Sequence, residues 1–161
     1  MNIFVLHTDP QKAARYHCDK HVVKMILETA QLLSTAHHML DNSNYANTKL
    51  YRKAYYNHPC AVWVRQSDAN YKWALNLLRH LLTEFKLRYG GSHSTGEIYK
   101  YLTKLPTNIP SKELTPFAQA MPDTYKNKNA VTAYRQYYNN DKRHLFSWTH
   151  RPKPHWIMKG I

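Results

Sequence analysis

The chain opens on an apolar run, Met1-Asn2-Ile3-Phe4-Val5-Leu6, followed at once by Asp9-Pro10. The aspartate is suited to cap the first turn of a helix, and proline is tolerated at the first helical position. From Gln11 to about Leu40 no glycine or further proline intervenes, and Val22, Ile26, Ala30, Leu33 and His37 recur at three- and four-residue spacing. That spacing predicts one long helix with a single buried stripe, preceded by an extended segment. The polar stretch Asp41-Asn42-Ser43-Asn44 breaks the pattern, and His58-Pro59 breaks it again. Ala61 to Arg88 then reads as a second long helix with Val64, Leu75, Leu78, Leu82 and Phe85 on one face, closed by Gly90-Gly91. Tyr71 shares that apolar face, whereas Trp73 points to the opposite side, to pack on a neighbouring helix or to stack on a ligand.

Beyond Gly91 the pattern shortens, because Pro106, Pro110, Pro116 and Pro122 interrupt it, and only Asn129 to Tyr138 reads as a further helix. The end of the chain alternates tryptophans with cations and prolines, from Trp148 through Arg151 and Lys153 to Trp156. Such an arm can run along phosphates and offer rings for stacking, or can pack on the core. The expected fold is all-α: one domain over residues 1–161, a compact helical bundle with an extended N-terminal segment and a C-terminal arm.

Charge narrows the function. Lysine and arginine number 23 against 10 acidic residues, a formal excess of +13, with 11 histidines besides. An excess of this size draws in a polyanion and releases its counterions on contact. A membrane surface would call for a basic amphipathic helix or a lipidation motif, and a spanning segment for about 20 apolar residues; the sequence shows none of these. Nucleic acid is the first candidate for that polyanion, and the chain is expected to stay inside the cell. Cys18 and Cys60 are expected to be reduced thiols.

On the first helix His17, His21, Lys24 and Glu28 fall within one narrow stripe at 100° per residue, flanked by Lys20 and away from the apolar face. A carboxylate among cations and histidines can move protons while the cations hold phosphates. The plain alternative is a solvated face with an i,i+4 pair between Lys24 and Glu28. A metal reading through His17, His21, Cys18, His58 and Cys60 is disfavoured, because neither a CxxC pair nor HExxH is present; no metal and no cofactor are expected. His58 and Arg65 flank the start of the second helix, where amides and dipole favour a phosphate, or where they form an ordinary capped turn.

The stretch Asp19-Lys20-His21-Val22-Val23, with Glu28 behind it, resembles the catalytic helix of the phage-type endonuclease V family of pyrimidine-dimer DNA glycosylases with AP-lyase activity. Asn57-His58 and the run Glu84-Phe85-Lys86-Leu87-Arg88-Tyr89-Gly90 resemble the two ends of the family's second long helix. The resemblance implies that Glu28 is the helix glutamate, that His21 assists it, and that the α-amine of Met1 attacks C1′ of a damaged nucleotide and forms a Schiff base. The partner implied is double-stranded DNA, damaged or modified, bound by a monomer in the cytoplasm, that of the host cell if the chain is phage-encoded, and the DNA-binding set would then be His17, Lys20, Lys24, His58, Arg65, Trp148, Arg151, Lys153 and Trp156. The chain departs from the family where Leu27 and Gln31 replace arginines beside the glutamate, and where Asn2 follows Met1 in place of a small residue. A transferase that modifies pyrimidines in DNA on a similar scaffold, and a DNA-binding module without activity, are the alternative readings.

Overall fold

The computed structural model describes residues 1–160, and among them it has seven α-helices, two short 3-10 turns and no strand. The helices are α1 (Pro10–Tyr16), α2 (Asp19–Leu40), α3 (Tyr45–Lys49), α4 (Pro59–Gln66), α5 (Asp68–Tyr89), α6 (Gly96–Leu102) and α7 (Ala130–Asp141). The Asp9 carboxylate accepts the Gln11 amide at the start of α1, and Gly90, in the left-handed region at φ 76°, ends α5. Both punctuation marks are where the sequence puts them.

Each expected long helix is in fact two. The first breaks at His17 and Cys18, whose ψ angles of 134° and 161° are extended. Residues far along the chain make the break: the Cys18 N–H donates to the Tyr138 hydroxyl at 3.1 Å, and the Asp19 N–H to the Ser147 carbonyl at 2.8 Å. The second breaks at Ser67, whose side chain caps α5 by accepting the Asn70 N–H at 3.0 Å, while the Asp68 N–H donates to the Pro110 carbonyl.

α2 and α5 form the central pair and run antiparallel, since Arg88 at the end of α5 meets Asp19 at the start of α2 while Tyr71 meets His37 at the other end. Val22, Ile26, Ala30, Leu33 and His37 are all fully buried, as their spacing predicts. On α5 the buried face is Tyr71, Ala74, Leu77, Leu78 and Leu81; Leu75, Leu82 and Phe85 are only partly covered. The face is displaced because α5 is packed by α1 as well as by α2. Trp73 is buried too, donating to the Thr8 carbonyl and meeting Trp63 and Phe117 edge-on, so it packs and does not stack on a ligand.

The extended segment Asn2–Leu6 is buried along its whole length. Phe4 sits between α2 and α7, stacked on His21 at 4.7 Å and edge-on to Tyr134 and Tyr138. The C-terminal arm lies on the core through ionic and hydrogen-bonded contacts. Asp19 accepts from the Ser147 and Thr149 hydroxyls, and the buried Arg88 guanidinium joins Asp19 and Glu84. Arg151 closes the network on Glu84 at 2.7 Å. Burial opposes ionisation of Glu84, but its bonds to Arg151 and Arg88 outweigh that cost and hold the carboxyl below its usual range.

Candidate active site

One face of α2 carries the chemistry. His21, Lys24, Met25 and Glu28 line a cavity of about 430 Å³, closed on other sides by Met1 and Asn2, by His58 and Pro59 at the start of α4, by Gln119 to Met121, and by Tyr137 and Lys142 from α7 and its end. The α-amine of Met1 lies 3.9 Å from Glu28 Oε2 and Lys24 Nζ lies 3.7 Å from Oε1, while the backbone N–H of Asn2 donates to Oε2 at 2.9 Å. The Glu28 side chain is 12% exposed, so its carboxylate meets these partners in a mostly dry setting.

Two histidines frame the carboxylate. His21 Nδ1 lies 2.7 Å from the Tyr138 hydroxyl, within hydrogen-bond distance. Burial, reinforced by the charges of His17, Lys142 and Lys24, drives its pKa down to about 3, so it works as a neutral ring. His58 caps α4 with Nδ1, accepting the Cys60 N–H at 3.1 Å; burial and the neighbouring α-amine lower its pKa as well. Lys24, Lys126 and Lys142 supply positive charge around the opening. The arrangement sets an amine, a carboxylate, imidazoles and lysine cations around one cavity, the groups that nucleophilic and acid–base chemistry draw on.

Met1, His21, Lys24, Glu28 and His58 are therefore brought together. His17 is not: the helix break turns it into the core, where it is 0% exposed and its Nδ1 sits 2.7 Å from the Ala13 carbonyl. Its burial forbids contact with a phosphate. Trp148 and Trp156 do not line the cavity. Trp148 donates to the Tyr16 carbonyl and packs on Phe146, and Trp156 packs against Tyr16, Tyr138 and Arg135, so both anchor the arm. Arg151 is spent on Glu84. Lys20 and Lys153 are exposed away from the cavity, and Arg65 donates to the Tyr56 carbonyl on the adjoining turn. No group of three His, Cys, Asp or Glu residues that could hold a metal exists among the described residues, and no described helix is long and apolar enough to cross a membrane.

Asn2, Phe4, Lys126, Tyr137 and Lys142 belong to the cavity without having been marked by any sequence pattern. Phe4 and Asn2 lie in a short run with no measurable period. The others come from the proline-rich third of the chain, where only the closure of the fold sets their neighbours.

An amine and a carboxylate thus share one cavity with histidines and lysines on an all-helical frame. The profile of the family described as pyrimidine dimer DNA glycosylase matches residues 1–95, and the chain belongs to this family. The family is one of DNA repair glycosylases, and its substrate is DNA. No curated protein and no solved structure gave a significant match.

Proposed function

We propose that the protein is a DNA glycosylase and AP lyase acting on damaged or modified pyrimidines, with the Met1 α-amine as nucleophile and Glu28 as the group that moves protons. The observation that carries this reading is the α-amine 3.9 Å from Glu28 Oε2 inside the cavity. The amine lone pair forms a bond to C1′ as the glycosidic bond breaks, its electron pair leaving on the base, which gains a proton from solvent or a cavity acid. Glu28 takes the proton released by the amine. Opening of the sugar ring then gives an iminium at C1′, its O4′ gaining the proton that Glu28 had taken, which returns Glu28 to the carboxylate. Loss of a C2′ proton to Glu28 expels the 3′-phosphate, and water releases the amine.

Lys24, with Lys20, Lys126 and Lys142, holds phosphates in place of the arginines that Leu27 and Gln31 replace, while Arg65 and Lys153 extend the basic surface. Extruding a nucleotide into the cavity costs a few kcal/mol and is easiest where stacking is already damaged. Borohydride trapping on duplexes carrying an abasic site or a pyrimidine dimer tests the reading, with the adduct mapped by mass spectrometry. An adduct on the Met1 amine is expected. DNA binding without any adduct or strand cleavage would sink the lyase mechanism and leave a binding module.

A further inference from the structure

A nucleophile on the first residue of a chain faces an entropic problem. Terminal residues fray unless tied down, whereas attack requires the reacting atoms to be held roughly 3 to 3.5 Å apart. The answer in this chain is the side chain of Asn2, a residue only 9% exposed. Its Nδ2 donates to the Ala120 carbonyl at 2.8 Å, and its Oδ1 accepts the Ile3 N–H at 2.8 Å. The same Oδ1 lies 3.0 Å from the Tyr134 hydroxyl and 3.6 Å from the Cys60 sulfur. Tyr134, fully buried on α7, accepts the Ala120 N–H at 3.2 Å and also lies 2.9 Å from the Ala118 carbonyl, so its single proton serves Asn2 or Ala118 at any moment.

Both ends of the carboxamide are thus engaged, by segments before and on α7 and at the start of α4, while the Asn2 backbone engages Glu28 on α2. An apolar side chain of the same size would fill the volume but leave the Ala120 carbonyl without its partner. A single peptide unit separates this anchor from the amine. We propose that Asn2 and Tyr134 are positioning residues that hold the Met1 α-amine against Glu28, so that the nucleophile is placed in part by Tyr134, which lies outside the family match. The inference rests on the reading that this amine is the nucleophile.

The test uses the full chain with its N-terminus verified by mass spectrometry, and an abasic-site duplex trapped with borohydride under single-turnover conditions across pH. Tyr134→Phe keeps the ring and removes the hydroxyl. Its trapping rate should fall about 10- to 100-fold, the loss typical of a displaced reacting group, with the Kd for DNA within twofold of the parent. Asn2→Asp adds a negative charge beside the amine and should move the pH midpoint of trapping upward, which a purely structural residue would leave in place. Parental rates and midpoint in both variants overturn the proposal.

Amide ¹⁵N relaxation on the DNA-free protein reads the anchor directly. Asn2 and Ile3 should be as ordered as α2 in the parent chain and less ordered in Tyr134→Phe. If the parent forms no adduct, the nucleophile reading falls, and equal order in parent and variant would then overturn the anchor as well. If the variants do not fold, a mobile Asn2 in the parent overturns it.

Discussion

Asn2 and Glu28 are joined by a 2.9 Å hydrogen bond from the peptide nitrogen of the one to Oε2 of the other, linking the buried N-terminal segment to the cavity-lining edge of α2. The bond orients the carboxylate toward the α-amine and leaves Oε1 facing Lys24. Glu28→Gln preserves the shape but removes the negative charge and with it the proton acceptor. Its rate of strand cleavage should fall about 10²- to 10⁴-fold, the range for loss of a general base, while the Kd for duplex DNA in the same buffer stays equal or tightens. A variant that cleaves at the parental rate would remove Glu28 from the mechanism.

Lys24 is the competing amine, at 3.7 Å from the same carboxylate. It is well exposed, which suits a phosphate ligand more than a Schiff-base lysine, whose reactivity depends on desolvation. Lys24→Met should therefore keep borohydride trapping on abasic DNA, weaken DNA affinity, and reduce the slope of log K against log salt by about one. Loss of trapping with unchanged salt dependence would assign the nucleophile to Lys24.

Acid should unfold the protein before its carboxylates titrate fully. Burial lowers the pKa of His17 to about 4, and burial with nearby positive charge lowers that of His21 to about 3, against 6.5 for an ordinary histidine. The unfolded chain then binds protons that the folded chain refuses, so their contribution is complete above about pH 6.5 and is lost as pH falls toward 4 and then 3. For the fully buried His17 alone the loss is of order 3 kcal/mol, at about 1.4 kcal/mol per unit. Urea denaturation at a series of pH values should show stability declining through this window, and His17→Phe should lessen the decline. A flat profile from pH 7 to 4 would contradict the buried, neutral state of these rings.

The C-terminal arm should respond to mutation as a structural element. Arg88, its guanidinium buried, bonds Glu84, Asp19 and the carbonyls of His17 and Arg15. Arg88→Ala leaves two buried carboxylates without their shared cation and should cost about 3 to 5 kcal/mol. Trp148→Ala and Trp156→Ala should lower Tm, and DNA affinity measured well below Tm should change less than threefold. Unchanged Tm with a tenfold loss of affinity for lesion DNA would return these rings to a stacking role.

The buried stripe of α2, the Asp9 cap, the Gly90 stop and the His58-Pro59 start of α4 were legible in the sequence because each rests on interactions within a few residues. The helix break at His17 and Cys18 was not, since the groups that draw those residues out of the helix are Tyr138 and Ser147, at the other end of the chain. That one break separates His17 from His21 and sends the first into the core. The arm was legible only as two alternatives, because tryptophan beside cations serves stacking and packing equally well until Glu84 and Asp19 are seen to claim the arm.

Taken by itself, the sequence determined the helical class, the basic excess that calls for a polyanion, and the alignment of His21, Lys24 and Glu28 along one edge, all consequences of composition and of the 3.6-residue period. The tertiary structure decided that the Met1 amine lies beside Glu28, that Lys126, Tyr137 and Lys142 complete the cavity, and that Asn2 and Tyr134 hold the N-terminus there. Those relationships join residues up to 132 positions apart, and no local periodicity carries information over such distances; they arise only when the apolar faces of α2, α5 and α7 are buried together.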